Sequence, residues 1–315
     1  MGARHLTYRQ MVLHDETIVV TGATGQVGFP VAVALAADNE VIAPARFTSP
    51  KARARLEGAG VRCVVADLGA GQLDGVPTDP SYVLHFAVSK TNDWATDLGA
   101  NAEGVGLLMA HCRGARAFLH CSTTGVYHDD GTGGPYAESS PLGDNHRVSP
   151  FLETYSISKI AAETAVRLSA RLWDVPTTIA RLNVPYGDNG GWPAIMVDLA
   201  LGGVPIEVPP GGPATYNPIH EDDIVAMIPK LLGAASVPAT TVNWGGEEAV
   251  SVQDWTAYLT ELTGVSFELH ESASAIPSVV IDLTKQHELI GKTQIPWQDG
   301  FRRMVTARHP ELLQT

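Results

Sequence analysis

Up to Leu182, short and nearly unbroken apolar runs alternate with longer segments of mixed character. Residues 18–20, 40–43, 62–66, 82–87, 117–121 and 177–180 form these runs. Runs this short, rich in β-branched residues and lacking a polar face, fit strands buried on both sides. The segments between them predict helices over 31–37, 50–58, 95–113 and 152–173. Pro30 stands just ahead of the first helix; if that helix begins near Gly25, the proline falls in its first turn. Its missing N–H costs little there, because the first four amides of a helix lack intrahelical partners. Strands alternating with helices predict an α/β fold with a doubly wound parallel sheet. Beyond Leu182, Pro185, Gly187, Gly190, Gly191, Pro193, Gly202, Gly203, Pro205, Pro209 and Pro210 break the chain into short elements. This change predicts a first domain over 1–182, with return segments at about 215–245, and a small C-terminal domain over 183–315. Residues 128–150, rich in Gly, Asp, Ser and Pro, read as a loop long enough to serve as a lid.

Thr21-Gly22-Ala23-Thr24-Gly25-Gln26-Val27-Gly28 lies between the first strand and the first helix. A buried strand, a glycine-rich turn and a helix N-terminus together form a site for a pyrophosphate. Gly22 permits the tight turn, Gly25 lets a phosphate reach the backbone, and Gly28 lets the helix pack closely on the sheet. A plain strand-to-helix turn is the alternative for the glycines alone. Farther on, Tyr155-Ser-Ile-Ser-Lys159 puts a phenol and an ammonium four residues apart, on one face of a helix. An adjacent positive charge favours phenolate and makes a tyrosine usable as acid or base near neutral pH. Packing of Tyr155, solvation of Lys159 and a turn-capping Thr123 are the competing readings of these residues.

The spacing G-x-x-G-x-x-G, written T-G-A-T-G, together with the Tyr-x-x-x-Lys pair, resembles the extended short-chain dehydrogenase/reductase family, in its epimerase/dehydratase branch. Cys121-Ser-Thr-Thr-Gly-Val-Tyr127 is similar to the family's Ser/Thr-x-x-Val-Tyr segment, which places the catalytic hydroxyl on Thr123. His85-Phe-Ala87 resembles the segment lining the nicotinamide ribose, and Asn101 falls where the family has an Asn followed by a helix. Arg181-Leu-Asn-Val-Pro-Tyr-Gly187, Ile219-His-Glu-Asp-Asp-Ile224 and Val242-Asn-Trp-Gly-Gly246 are similar to later family segments. The likeness runs from about residue 16 to about residue 265.

The resemblance implies a Rossmann-type domain, a small substrate-binding domain and an NAD(P)-dependent oxidoreductase that moves hydride between nicotinamide and a carbonyl or alcohol carbon. It implies that Tyr155 exchanges the proton, Lys159 lowers its pKa and bonds the ribose, Thr123 polarises the substrate oxygen, and Asn101 supports the proton relay. The cofactor residues it implies are Gly22, Thr24, Gly25, Gln26, Val27, Gly28, Arg46, Asp67, Leu68, Phe86, Ala87, Lys159 and Asn183. For the substrate it implies Ser89, Thr124, Trp192, Tyr216 and His220, with packing as the competing reading for the two aromatics. Two features depart from the family pattern: His128-Asp129-Asp130 replaces a Gly after Val-Tyr, and the stretch from Thr123 to Tyr155 is several residues long. An epimerase or dehydratase that retains its cofactor is the alternative activity, and a cofactor-sensing regulatory protein is the alternative of another class.

Composition narrows the partners. A net charge of −13 argues against nucleic acid or anionic membranes held by bulk electrostatics. Three cysteines, an odd number, fit a reducing, cytoplasmic setting without a disulfide framework. His111-Cys112 and His120-Cys121 lack the spacing of metal ligands, so no metal is expected. No segment approaches the ~18 apolar residues of a membrane span, and residues 1–16 carry no apolar stretch typical of a secretory signal. The expected partner is therefore a small-molecule substrate.

Charge also bears on substrate and cofactor. The family's sugar-nucleotide enzymes typically hold a diphosphate with an Arg just before the segment matching 220–223 and another near the C-terminus. Here 210–218 has no basic residue and 276–283 has none either, which points to a smaller, less charged substrate. NAD-binding enzymes carry an acid about 20 residues after the glycines, whereas Ala43-Pro-Ala-Arg-Phe-Thr-Ser49 has no acid and offers Arg46. The expectation is NADP, with NAD as alternative, and with Asp67 beside the adenine. Ala161, Ala162, Ala165 and Leu168 share a helical face. The resemblance implies a homodimer there, through the helices near 95–113 and 152–173; packing against the chain's own sheet is the competing reading.

Overall fold

The fold is seen in a computed structural model that describes residues 12–313; residues 1–11 of the polar N-terminal stretch lie outside the described residues. In chain order the elements are β1 (Thr17–Thr21), α1 (Gly28–Leu35), β2 (Glu40–Ala45), α2 (Pro50–Glu57), β3 (Arg62–Val65) and β4 (Tyr82–His85). Then follow α3 (Trp94–Leu98), α4 (Gly104–His111), β5 (Ala117–Thr123), α5 (Tyr155–Trp173) and β6 (Thr177–Leu182). Beyond these come β7 (Pro185–Gly187), β8 (Gly190–Gly191), α6 (Trp192–Leu201), β9 (Ile206–Val208), β10 (Thr215–Tyr216), β11 (Ile219–His220), α7 (Glu221–Gly233) and β12 (Thr240–Trp244). The chain closes with β13 (Val250–Ser251), α8 (Val252–Thr263), β14 (Leu269–Glu271), α9 (Thr284–Leu289) and α10 (Trp297–Arg308).

Seven strands form one parallel sheet in the order β12-β6-β5-β4-β1-β2-β3. Strand order reverses between β1 and β4, so a crevice opens at their carboxyl ends, where ligands bind in folds of this kind. The apolar runs are continuous because both faces are covered. Ile18 and Val20 pack with Val31 of α1 and with Ile224 and Ile228 of α7, while Val19 faces Val105 of α4 and Val166 of α5. The Rossmann-type architecture thus follows from the pattern of the runs. Helix α7 and strand β12, although late in the chain, belong to this first core. The C-terminal half also builds a separate core, with Tyr186, Met196, Trp255, Leu259 and Phe301 fully buried or nearly so.

Several local departures have physical causes. The Phe29 amide donates to the Gly25 carbonyl at 3.1 Å, so a helical turn closed by Gly25 and Phe29 leads into α1, and Pro30 is the third residue of α1. Pro30 has no N–H for the Gln26 carbonyl, which instead accepts from Asn189 Nδ2 at 2.9 Å. The single helix expected over 95–113 is divided: a π-helical turn, Gly99–Glu103, separates α3 from α4. Gly104 explains the close approach that follows, since a Cβ there would stand 3.0 Å from the Leu68 carbonyl oxygen. The helix expected from 152 begins at Tyr155.

The long loop is tied to the rest of the fold by backbone hydrogen bonds. Val280 donates to Gly133 O (2.8 Å), Tyr136 to Val280 O (2.9 Å) and Asp282 to Tyr136 O (2.9 Å), all through backbone amides. His128 donates to Pro141 O and Gly143 to Val126 O, each at 2.9 Å. No helix among the described residues is long and apolar enough to cross a membrane.

Candidate active site

The glycine-rich turn is dictated by close backbone approach. Gly22 has φ +70°, and a Cβ on it would lie 2.5 Å from the Ala87 nitrogen; only glycine tolerates both. A Cβ on Gly28 would strike the Gly22 carbonyl, so the helix start sits directly on the turn. Beside this turn runs a cleft of about 630 Å³. Gly22, Thr24 and Gly25 form one wall, Arg46, Thr48 and Ser49 a second, and Asp67 and Leu68 a third. Phe86, Ala87, Ser89 and Asn101 complete it. Arg46 is exposed there and forms no ion pair or hydrogen bond among the described residues. Turn and cleft fit a dinucleotide.

Thr123, Tyr155 and Lys159 do not line the cleft, but α5 joins its wall where Ser158 bonds Asn101. Strand β5 ends at Thr123, whose Oγ1 accepts the Gly125 amide at 3.1 Å. Tyr155 opens α5, and Lys159 lies one turn further along it. Burial raises the Tyr155 phenol, Thr123 opposes it in part, and the phenol stands at about 12. The Lys159 Nζ donates to the Cys121 carbonyl at 2.7 Å, and desolvation lowers its own pKa. The ammonium thus ties α5 to β5.

Asn101 sits on the π-helical turn and holds the loop after β4. Its Oδ1 accepts the Ser89 amide at 2.7 Å, and its Nδ2 donates to Ser89 O at 2.9 Å and to Ser158 Oγ at 3.1 Å. The same loop is gathered around Asp97, which is fully buried. Ser89 Oγ (2.6 Å), Thr91 N (3.0 Å), Asn92 N (3.0 Å) and Thr154 Oγ1 (2.6 Å) all donate to its carboxylate. Burial alone would raise the Asp97 pKa; the hydrogen bonds from Ser89, Thr154 and Thr91 outweigh it and hold the carboxyl below its usual value.

Residues 18–245 match the family described as NAD dependent epimerase/dehydratase. The chain belongs to that family. That family is of the short-chain dehydrogenase/reductase type. Among curated proteins it is 28% identical over 228 residues to a 2'-dehydrokanamycin reductase of Streptomyces kanamyceticus, covering 68% of this chain and 57% of that one. The chain therefore matches little more than half the length of that relative. Among solved structures, the UDP-glucuronic acid 4-epimerase of Bacillus cereus, in complex with UDP-glucuronic acid and NAD, superposes with TM-score 0.78 at 19% identity (92% of this chain, 98% of that one). The UDP-glucose 4-epimerase of Thermotoga maritima, with UDP-glucose, gives 0.79 at 20% (94% and 99%). At such identities the likeness is one of fold.

Not every residue singled out in this epimerase/dehydratase family member comes to the cleft. Gln26 donates through Nε2 to Pro185 O at 2.8 Å, and Val27 packs against the first core. Asn183 is spent inside the fold: its Nδ2 donates to Val279 O at 2.9 Å and its Oδ1 accepts the amides of Val184 (2.9 Å) and Asn217 (3.1 Å). Trp192 and Tyr216 meet edge to face at 5.1 Å inside the second core, and the Tyr216 hydroxyl donates to Ile276 O at 2.8 Å. They are packing groups, the competing reading of their sequence. His220 caps α7, its Nδ1 accepting the Asp222 amide at 3.1 Å, and its ring stands edge-on to Tyr186. Thr124 is buried and opens the short turn after β5.

Beneath the site lies a buried ionic network. Arg181 grips Glu163 with two bonds, Nε to Oε1 at 2.9 Å and Nη2 to Oε2 at 2.8 Å, and Ser122 Oγ donates to Glu163 at 2.7 Å. Burial opposes ionisation of Glu163, but Arg181 and Ser122 prevail and hold its carboxyl low. Arg181 also donates to Glu138 O at 3.1 Å and lies over the Tyr127 ring, linking the long loop to β6. Sequence reasoning missed Lys90 and His146, which both reach Tyr155: Lys90 Nζ lies 4.9 Å from its ring centroid, and the His146 ring meets it edge-on at 5.2 Å. Gly125 makes room for His146, since a Cβ there would strike the imidazole. The only signals were a Lys five residues after His85 and an unusually small residue before Val126.

Proposed function

We propose that this chain is an NADP(H)-dependent oxidoreductase acting on a carbonyl or alcohol carbon of a small, weakly charged substrate. The bound nicotinamide supplies or accepts hydride. Thr123 and Tyr155 hold the substrate oxygen, Tyr155 passes its proton, and Lys159 bonds the ribose while fixing α5 to β5. Asn101 keeps the loop after β4 in place beside them. Arg46, free on the cleft wall with Thr48 and Ser49 near it, pairs with the 2′-phosphate. Three free cysteines support a reducing, cytoplasmic setting.

One observation carries the substrate reading. The amide of Val279 donates to Thr215 O at 3.0 Å and that of Thr215 to Ser278 Oγ at 2.9 Å, so the stretches around 210–218 and 276–283 run side by side. Neither holds a Lys or Arg. A pyrophosphate there would meet carbonyls, hydroxyls and apolar side chains without a compensating cation. The curated relative, named for reducing 2'-dehydrokanamycin, supports a reductase without a nucleotide-linked substrate.

The test incubates the protein with each nicotinamide cofactor and a panel of ketones, alcohols and UDP-sugars, following absorbance near ~340 nm. Stoichiometric oxidation of NADPH with a ketone is the expected result. Turnover of a UDP-sugar without absorbance change overturns the reading in favour of an epimerase.

A further inference from the structure

Tyr155 has two lysines near it, and the one offered by the sequence pattern is committed elsewhere. Lys159 gives its ammonium to the Cys121 carbonyl at 2.7 Å. Lys90 approaches the ring itself, with Nζ 4.9 Å from the centroid. The Lys90 backbone is fixed on both sides, since Asn101 accepts the Ser89 amide and Asp97 accepts the Thr91 amide, at 2.7 and 3.0 Å. We propose that Lys90 is a positioning residue for Tyr155, its ammonium over the ring favouring the phenolate and holding the ring in place. This rests on the reading of Tyr155 as the proton carrier and deepens it.

A cation over an aromatic face is attracted by the ring's negative π-surface, and ionising the phenol adds electron density to that ring. Lys90 therefore binds phenolate more strongly than phenol and opposes the burial that raises Tyr155. The other groups around the ring do not replace it. Thr123, from β5, hydrogen-bonds the hydroxyl. The Cys121 thiol, also from β5, is raised by burial to about 11 and stays neutral. His146, from the long loop, is lowered to about 4 by burial and by Lys90, so it meets the ring as a neutral imidazole. Lys159, from α5 itself, is held on a carbonyl. Desolvation lowers the Lys90 pKa, so its support fades at alkaline pH sooner than a solvated lysine's would.

The test places 3,5-difluorotyrosine at position 155 of the full chain, where its more acidic phenol can be titrated by absorbance in folded protein without any substrate. Wild-type Lys90, Lys90→Met and Lys90→Arg are compared, with cofactor affinity measured in parallel. Lys90→Met is expected to raise the midpoint by about half a pH unit or more, equivalent to about threefold less phenolate at fixed pH. Lys90→Arg is expected to restore it, with NADP(H) affinity within about twofold throughout. A Lys90→Met midpoint within about 0.2 pH unit of wild type overturns the proposal. So does a loss of cofactor affinity without a shift, which assigns Lys90 to the cofactor instead. A shifted midpoint in a protein that turns over no carbonyl sinks the oxidoreductase reading and leaves the Lys90–Tyr155 coupling standing.

Discussion

At the scale of single residues, Tyr155 has to act against its own burial, which drives its pKa to about 12. Tyr155→Phe keeps the ring, the His146 contact and the Lys90 contact but deletes the proton. Turnover should fall by roughly 10²-fold or more while cofactor affinity stays near wild type. Near-wild-type turnover in steady-state assays would remove Tyr155 from the chemistry. Arg46 makes the complementary prediction for binding. Arg46→Ala should weaken NADP(H) by roughly five- to a hundredfold, as expected for a lost charge-assisted contact, and leave NAD(H) almost unchanged. Titration of both cofactors into both proteins checks it, and a wild type that prefers NAD(H) refutes it. Gly22, Gly25, Arg46 and Asp67 could be placed from sequence because their work is done by backbone geometry or by position after a strand. Lys90, His146 and Asp97 could not, because their partners lie far off in the chain and only the fold brings them together. Asn183 shows the reverse: its place in a recognisable segment gave no sign that Val279 and Asn217 would consume its amide.

At the scale of elements, the sheet was legible because each strand is a short apolar run closed by a polar or glycine-rich turn. The split of the 95–113 helix was not, since the π-helical turn exists to aim Asn101 at Ser89 and Ser158. Helix α5 is divided around its axis. Ala162, Val166 and Ala170 are buried against the chain's own sheet, so Ala162 does not belong to an outward face. Leu168 and Leu172 remain 58% and 63% exposed, and Leu107 of α4 is 45% exposed beside them. These residues support a two-fold pairing of α4 and α5 with a second copy. Light scattering at micromolar concentration should give a dimer for the wild type and a monomer for Leu168→Asp; a monomeric wild type rejects the pairing. The loop after β4 offers a stability test on the same side of the sheet. Asp97→Asn faces several donors with an amide that can accept only through one oxygen, and should cost about 2–4 kcal/mol in urea unfolding at neutral pH. A loss below about 0.5 kcal/mol would show that the carboxylate is not what gathers the loop.

At the scale of the whole molecule, the two cores are clasped across the glycine-rich turn, where Asn189 donates to Gln26 O and accepts from Arg55 Nη1 at 2.8 Å. They therefore share one dependence on pH. His85, at the carboxyl end of β4, and its register partner His120, in the middle of β5, lie stacked with ring centroids 5.3 Å apart. Burial, aided by the charge on Lys159, lowers His85 to about 3 and His120 well below its usual value. In the unfolded chain both take up protons near ~6.5. Groups with a depressed folded pKa contribute stability that is present above the unfolded value and lost as pH falls towards the folded one. His146 is likewise lowered to about 4 by burial, and burial lowers His220 too, so between about pH 6 and 5 the unfolded state binds at least three protons that the folded state refuses, and stability should fall by about 4 kcal/mol per pH unit. Asp97 and Glu163, held below the usual carboxylate range, add their own losses only at lower pH. Acid destabilisation should therefore begin with the histidines, before Asp97 and Glu163 contribute. Neither His120 ring nitrogen has a partner among the described residues, so His120→Phe removes a titrating group without breaking a hydrogen bond. That variant should lose roughly a third of the slope between about pH 6 and 5 in thermal or urea unfolding. A wild-type midpoint that stays flat from about pH 7 to 5 would show that the buried imidazoles do not govern acid stability.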